Sequence, residues 1–258
     1  MRITILGCGT STGVPVIGCD CAVCRSDDPR NKRLRCSVLI DVGEARLLVD
    51  TGPDLRAQAL RAGIKTVDAV LFTHSHADHL HGIDEVRTFN IHKGGPIPAF
   101  ADRTTLQHIE TRFGYTLHGR RPMKGWWRPA LIPHRIDGPF AAAGVAITPI
   151  EQRHGHGDSL GFRIGDVAYS PDVDALPAAS FEKLQGLDLW IVDALRDRPH
   201  PSHAHRERTL GWIAELAPKR AVLTHMSHEV DYADWAARLP AGVEPAVDGL
   251  VLQAADPL

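Results

Sequence analysis

The feature that most constrains this chain is the stretch VLFTHSHADHLHG, residues 70–82, where an apolar run is followed at once by crowded histidines. The candidate metal ligands in it are His74, His76, Asp78, His79 and His81. The run VDAVLFTH has the length and β-branching of a buried strand, which would deliver His74 to a loop. So many imidazoles in so few positions predict a metal centre at the end of this strand.

The spacing of these residues favours two metal ions over one. His74 and His76 can face a first ion, and Asp78 and His79 follow where the chain turns into a helix and can face a second. Imidazole suits zinc, iron, nickel and manganese, and a carboxylate adds a hard oxygen ligand. Two ions about 3.5–4 Å apart would use this ligand set well, as in dinuclear hydrolases.

The stretch THSHADH resembles the H-x-H-x-D-H signature of the metallo-β-lactamase superfamily. The resemblance implies that His154 completes the first metal site, that Asp172 bridges both ions and that His225 is the last ligand of the second. His156 competes with His154, but the superfamily places the ligand seven residues before the glycine that corresponds to Gly161, which favours His154.

Two further residues near the predicted centre have other expected roles. Asp50, in LLVDTG, resembles the superfamily aspartate behind the site, and we expect it to orient a ligand histidine. His81 has no ligand counterpart in the superfamily, and we expect it on a helix surface or behind the ligands.

A second set of metal-ligating residues lies in GCDCAVC, which supplies Cys19, Cys21 and Cys24. The chain has an odd number of cysteines, and three in so short a stretch favour metal binding over disulfides. A tetrahedral zinc site needs a fourth ligand, and His228, close behind His225, is the predicted one. The alternative is a group of three reduced thiols with no ion.

The cysteine motif narrows the resemblance. GCxCxxC near the start of the chain and LTHxSH near its end are similar to the phosphoribosyl 1,2-cyclic phosphate phosphodiesterase (PhnP) family. The likeness runs along most of the chain and is weakest between about residues 94 and 140. It implies a hydrolase with two divalent ions in the active site, Mn²⁺ or Zn²⁺, and one structural Zn²⁺. The implied reaction is hydrolysis of a small cyclic or nucleotide-like phosphate ester.

The resemblance also implies which residues are catalytic. Asp78 counts among them as well as among the metal ligands. His203, in PSHAH, would donate a proton to the leaving group and a hydrogen bond to the substrate phosphate, and His205 is its rival. The alternative is that these are ordinary loop histidines ahead of a helix.

The predicted fold is α/β, a four-layer αββα metallo-β-lactamase sandwich of two β-sheets flanked by helices. We expect one domain over residues 1–258, with a zinc loop near residues 19–24 and a lid segment near residues 94–140. The stretch HLHGIDEVRTFNIH is expected to start the next helix. In the lid, GRRPMKGWWRP could hold phosphate and stack a base or sugar, although an oligomer contact or a solvated loop fits equally.

Charge and composition argue against several other classes of function. The formal net charge of −2 predicts no strong attraction to a nucleic acid polymer or a membrane. No apolar run is long enough for a bilayer, and the first residues do not read as a signal peptide, so a cytoplasmic location is expected. The expected partners are a small phosphate ester and, in a homodimer, a second copy of the chain.

Four other classes of protein fit parts of this sequence less well than a phosphodiesterase does. Thioester hydrolases of the glyoxalase-II type do not usually carry the cysteine site, and nucleases of this fold usually carry a large inserted domain or an extended arm. A redox di-iron protein would have glutamate in place of His76. A non-enzymatic metal-stabilised domain would not need the open ligand set or His203.

Overall fold

The computed structural model describes residues 1–119 and 130–257. Its strands, in chain order, are β1 Arg2–Gly7, β2 Ser37–Val42, β3 Ala45–Val49, β4 Ala69–Leu71, β5 Ile97–Ala101, β6 Leu131–Arg135, β7 Phe140–Ala142, β8 Val145–His154, β9 Gly157–Ile164, β10 Val167–Ser170, β11 Leu189–Asp193, β12 Arg220–Thr224, β13 Val243–Pro245 and β14 Val251–Gln253. The α-helices are α1 Ala22–Arg25, α2 Leu55–Ala62, α3 Ala77–Leu80, α4 Val86–Lys93, α5 Arg103–Phe113, α6 Ala178–Lys183, α7 Arg206–Leu216 and α8 Tyr232–Arg238. Short 3₁₀ turns occupy Pro29–Asn31, Ile83–Glu85 and Gly114–Thr116.

The strands form two sheets of seven. The first has the order β14-β1-β2-β3-β4-β5-β6 and the second the order β13-β12-β11-β10-β9-β8-β7. In the first sheet β3 to β6 run parallel, and in the second β10 to β13 do. Parallel strands end at the same edge of a sheet, so the loops that follow them gather there.

The alternation of side chains along the first sheet explains the layers. In β2, Val38 and Ile40 pack between the two sheets, while Leu39 packs on the other face against the helices. In β3, Leu47 faces the second sheet and Leu48 faces the helices. Strands with apolar residues on both faces must be covered on both, which gives one sheet-on-sheet core and an outer helix layer. The predicted αββα sandwich is confirmed.

The stretch HLHGIDEVRTFNIH is helical as expected, but it is divided into α3, a 3₁₀ turn and α4. The break lies at Gly82, whose backbone N–H donates to the carbonyl of Thr51 at 2.7 Å. A Cβ at this position would lie 2.0 Å from the carbonyl oxygen of Gly52. The chain leaves the helix here so that it can pack directly against the turn after β3.

Much of the range predicted as a lid belongs to regular elements. Its described residues include β5, β6 and α5, and Ile97, Ala99 and Ala101 are buried in the sheet. The basic aromatic stretch, residues 120–129, lies outside the described residues, so the lid stays a prediction. None of the helices described is long and apolar enough to cross a bilayer.

Candidate metal centre

The candidate centre lies where strands of both sheets end. His74 follows β4 of the first sheet, while Asp172 follows β10 and His225 follows β12 of the second. Asp50, Asp172 and His225 have φ values of 64°, 51° and 58°, in the left-handed region that favours glycine. Such a conformation costs a non-glycine residue on the order of 1–3 kcal/mol and is found mainly at functional sites. Each of these left-handed residues turns the chain sharply just past a strand.

The first group of candidate ligands is the histidine cluster, formed by His74, His76 and His154, whose ligand atoms lie within 4.8 Å of one another. Nδ1 of His76 is 3.1 Å from Nε2 of His154. His74 Nδ1 donates to the hydroxyl of Thr73 at 3.0 Å, and His154 Nδ1 donates to the carbonyl of Ser202 at 2.6 Å. Both rings therefore turn Nε2 toward the cluster.

The second group is the mixed cluster, formed by Asp78, His79, Asp172 and His225, which are all buried. His79 Nε2 lies 3.3 Å from Asp78 Oδ2 and 3.0 Å from Asp172 Oδ2. His225 Nε2 lies 3.2 Å from Asp172 Oδ1. Imidazole nitrogens and carboxylate oxygens thus meet in one small volume.

Asp172 lies between the two clusters. Its Oδ1 is 3.9 Å from Nε2 of His74 and 3.7 Å from Nε2 of His154, both in the histidine cluster. The same carboxylate contacts His79 and His225 in the mixed cluster. Asp172 is therefore placed where a ligand shared by both clusters would have to be.

Orphaned nitrogen atoms show that the clusters fit metal ions. Nε2 of His74, His79 and His225 is buried and makes no hydrogen bond to the described residues. Burial and the neighbouring charge of His79 hold the pKa of His74 well below its usual range. Burial also lowers the pKa of His76 and of His154. The lowered pKa values of His74, His76 and His154 favour the neutral imidazole, which is the form that binds a metal.

The carboxylates around His79 call for positive charge. Burial would by itself lower the pKa of His79, but Asp172, Asp78 and Asp50 raise it well above its usual range. Three carboxylates around one buried imidazole concentrate negative charge that a bound cation would offset. A set of nitrogen and oxygen donors suits divalent zinc or manganese.

Asp50 holds part of this arrangement from behind. Its Oδ2 accepts a hydrogen bond from His79 Nδ1 at 2.6 Å, and the backbone N–H and hydroxyl of Thr73 each donate to the same carboxylate at 2.8 Å. A hydrogen bond at Nδ1 leaves Nε2 of His79 free to face an ion. The structure thus places Asp50 where an orienting residue has to lie.

His203 stands beside the mixed cluster and is held by a residue that the sequence analysis missed. Asp193, the last residue of β11, is buried and accepts from His203 Nδ1 at 2.8 Å and from the backbone N–H of Val173 at 3.0 Å. Nε2 of His203 then lies 4.0 Å from Asp172 Oδ1. The available signal was the ending of LDLWIVDAL, an apolar strand that stops at an aspartate as LLVDTG does.

The other histidines considered in the sequence lie outside the two clusters. His205 precedes the first turn of α7, and His156 is exposed on the turn between β8 and β9. His81 is exposed after α3, with its ring 5.3 Å from that of Phe113. The structure therefore places His203 rather than His205 next to the candidate ligands.

The structure brings the three thiols of the cysteine loop together, with the sulfurs of Cys19, Cys21 and Cys24 within 4.8 Å of one another. The backbone N–H of Cys24 donates to the sulfur of Cys21 and lowers the pKa of that thiol. His228 contacts the loop through its carbonyl, which is 3.7 Å from the Cys21 sulfur, but its imidazole is not part of the thiol group. The fourth ligand stays a prediction.

A cleft of about 680 Å³ opens onto the histidine cluster. One wall is α5, including His108, and the other is formed by the turn at Gly155 and by Ser202. Its volume falls within the range of about 300–1,000 Å³ that is usual for small-molecule sites.

Fold and clusters together define a metallo-β-lactamase-type centre, and the chain belongs to the β-lactamase superfamily, whose domain model matches residues 45–226. Within it, the chain belongs to the PhnP family. A crystal structure described as a new diphosphatase from that family has a TM-score of 0.92 and 39% sequence identity, over 100% of this chain and 99% of that one.

Two other comparisons are less specific. Zn²⁺-bound PqqB from Methylobacterium extorquens has a TM-score of 0.79 at 19% identity, over 98% of this chain and 100% of that one, and shows the fold alone. An octanoyltransferase of Porphyromonas gingivalis is 38% identical over 254 residues, which cover 97% of this chain and 51% of that protein. This chain thus spans about half the length of that relative.

Proposed function

We propose that the protein is a metal-dependent phosphodiesterase acting on a small cyclic or nucleotide-like phosphate ester, such as phosphoribosyl 1,2-cyclic phosphate. One observation carries the proposal: beside the two clusters stands an imidazole, His203, held through Nδ1 by the buried carboxylate of Asp193. A metal centre with a positioned proton donor suits an ester whose leaving oxygen needs a proton. The relative described as a diphosphatase supports hydrolysis at phosphorus, although a diphosphate is an anhydride and not an ester.

The residues divide into two ligand sets in this proposal. The histidine cluster would hold one divalent ion and the mixed cluster a second, with Asp172 shared between them. When bound, such ions stabilise negative charge on a phosphate and lower the pKa of water. The cysteine loop would hold a structural Zn²⁺ with His228 as the fourth ligand.

His203 would supply the proton. Because its Nδ1–H donates to Asp193, a second proton on Nε2 would point toward the centre. Burial lowers the pKa of His203, which makes its protonated form a stronger acid toward a departing oxygen. The same N–H could donate to a phosphate oxygen before the bond breaks.

The cleft supports a small substrate. About 680 Å³ accommodates a sugar or nucleoside attached to the phosphate. The formal net charge of −2 offers no strong attraction to a nucleic acid polymer. The cleft and the charge therefore favour a small phosphate ester as substrate. The proposal also keeps the cytoplasmic location and the homodimer expected from the sequence.

Thioester hydrolysis is the main rival, and a nuclease of the same fold is the second. A thiolate leaves without a proton, so the His203–Asp193 pair would have no evident use in a thioester hydrolase. The pair therefore favours an oxygen leaving group.

The test is a substrate panel on protein stripped of metal and then reloaded with Mn²⁺ or Zn²⁺. The panel contains phosphoribosyl 1,2-cyclic phosphate, bis(p-nitrophenyl) phosphate, a short RNA and a thioester, and His225→Ala serves as the inactive control. We expect hydrolysis of the two small phosphodiesters only. Preference for the thioester or the RNA would contradict the proposal.

A further inference from the structure

The short segment between the first two ligand histidines is held by a helix from another part of the fold. Ser75 separates His74 from His76, and its hydroxyl is hydrogen-bonded to Nδ1 of His108 at 2.5 Å. The carbonyl of Ser75 accepts from the guanidinium of Arg112 at 2.9 Å. His108 and Arg112 are four residues apart on α5 and therefore lie on one face of that helix.

The α5 helix is a rigid support. Ile109, on the turn between those two residues, is fully buried in the core, and Thr105 is nearly so. The first turn is capped by Asp102, whose carboxylate accepts from the backbone N–H of Thr105 at 2.8 Å. A functional group held by an anchored element keeps its geometry better than one held by a free loop.

His76 has the greatest need of such support. Its neighbours His74 and His154 are each oriented by a hydrogen bond from Nδ1 to a group outside the cluster, whereas Nδ1 of His76 is hydrogen-bonded to Nε2 of His154, another candidate ligand. Within the residues that the structure describes, Nε2 of His76 has no hydrogen-bond partner, and the residue is exposed. Apart from its contact with His154, the placement of this ring depends on its backbone, which follows Ser75.

We propose that His108 and Arg112 are positioning residues for the metal of the histidine cluster. They act through Ser75, whose hydroxyl and carbonyl they fix from α5, and so hold His74 and His76 in the arrangement that binds an ion. The inference rests on the proposed metal-dependent function only in that the cluster must bind a metal. Removing a group that supports a metal ligand typically costs about 10–100-fold in metal affinity.

The test measures binding of Zn²⁺ to protein stripped of metal, in competition with a chromophoric chelator. We expect His108→Ala and Arg112→Ala each to weaken one zinc of the chain by about tenfold or more and to leave the others unchanged. His108→Asn should restore most of the affinity, because its amide can replace Nδ1 at Ser75. The matched controls are His118→Ala and Arg135→Ala, which remove exposed partners of Glu110 and Asp137 and should not change zinc binding.

A double substitution separates this route from a general loss of stability. If His108 acts through Ser75, adding His108→Ala to Ser75→Ala should cost no further affinity. Losses that add fully, or affinity in His108→Ala within twofold of the parent, would overturn the inference. Zinc binding is independent of turnover: a parent protein that binds zinc but hydrolyses no phosphodiester would refute the proposed function and leave this inference standing.

Discussion

Three imidazoles of the candidate centre are each oriented by a residue behind the ring. Asp50 fixes His79, Asp193 fixes His203 and the carbonyl of Ser202 fixes His154, each through Nδ1. Each hydrogen bond selects the tautomer whose Nε2 faces inward. The proposed chemistry therefore depends on these orienting groups as well as on the ligands.

The variant His203→Ala tests whether His203 donates a proton in the reaction or whether the metal ions act without it. We expect the variant to keep its metals and to lose about 10²–10⁴-fold in rate on phosphoribosyl 1,2-cyclic phosphate, whose leaving group is a sugar hydroxyl. It should lose far less on bis(p-nitrophenyl) phosphate, because p-nitrophenolate departs without a proton. The measurement is kcat/KM on both substrates together with metal content.

His205→Ala is the control for that experiment. It removes a second histidine of the same loop that lies outside the clusters, and we expect normal selectivity. If His205→Ala shows the selective loss, the assignment of the acid is wrong. Equal losses on both substrates in His203→Ala would restrict that residue to binding phosphate.

Gly155→Ala should impair both metal binding and turnover by adding one methyl group. The φ of Gly155 is +61°, and an added Cβ would lie 2.9 Å from the Cβ of Ser202. Ser202 both accepts from His154 and precedes His203. Displacing it should weaken metal binding and lower kcat together, by about tenfold or more (~1.4 kcal/mol in barrier).

Gly186→Ala provides the matched control for Gly155→Ala. Its φ of +71° imposes similar backbone strain, but an added Cβ would meet nothing within 4 Å. We expect it to lower stability slightly and to leave kcat and zinc affinity unchanged. Similar activity in both variants would show that the contact with Ser202 does not matter.

At the scale of elements, the strands could be read from the sequence better than their endings could. Apolar, β-branched runs such as LDLWIVDAL predict buried strands, because the tendency of these side chains to be buried can be read from the run itself. The role of Asp193 could not be assigned from LDLWIVDAL alone, because Asp193 acts by orienting His203, which lies on a separate loop. The left-handed turns at Asp172 and His225 were also hidden, since packing rather than local preference imposes them.

Arg33 fastens the segment after β12 to the N-terminal part of the chain. Its guanidinium is buried and donates to the carbonyls of Ser227 and Val230 and to the side chain of Asn31. Arg33→Ala should leave those carbonyls unpaired and lower the free energy of unfolding by about 1.5–3 kcal/mol. Urea unfolding measures this, with the exposed Arg135→Ala as control, which should cost less than about 1 kcal/mol. Equal effects would contradict a fastening role for Arg33.

At the scale of the molecule, the candidate centre joins the two sheets at one edge. His79 lies on α3, which follows β4 of the first sheet, and Asp172 follows β10 of the second; their side chains are 3.0 Å apart. The motif after β4 could be found from sequence alone because its residues are adjacent. The contributions of the second sheet could be located only through a family resemblance, because residues far apart in sequence meet there by folding.

Since both sheets contribute ligands, metal binding should stabilise the whole fold. An ion that binds only the folded chain at about 1,000 times its Kd contributes about 4.1 kcal/mol. For a chain of this size, 1 kcal/mol corresponds to roughly 2–4 °C in Tm, so chelation should lower Tm by about 8–16 °C for each such ion. Differential scanning calorimetry before and after chelation, and after addition of Zn²⁺, measures the change.

Two variants assign that change to its sources. Cys21→Ser should remove the part of the Tm shift that comes from the cysteine loop and leave the part from the centre. Asp172→Ala should remove the part of the Tm shift that comes from the centre and leave the part from the cysteine loop. Loss of the shared carboxylate weakens both clusters of the centre at once. A metal-dependent shift that Asp172→Ala leaves intact would mean that the ions do not join the two sheets through this residue.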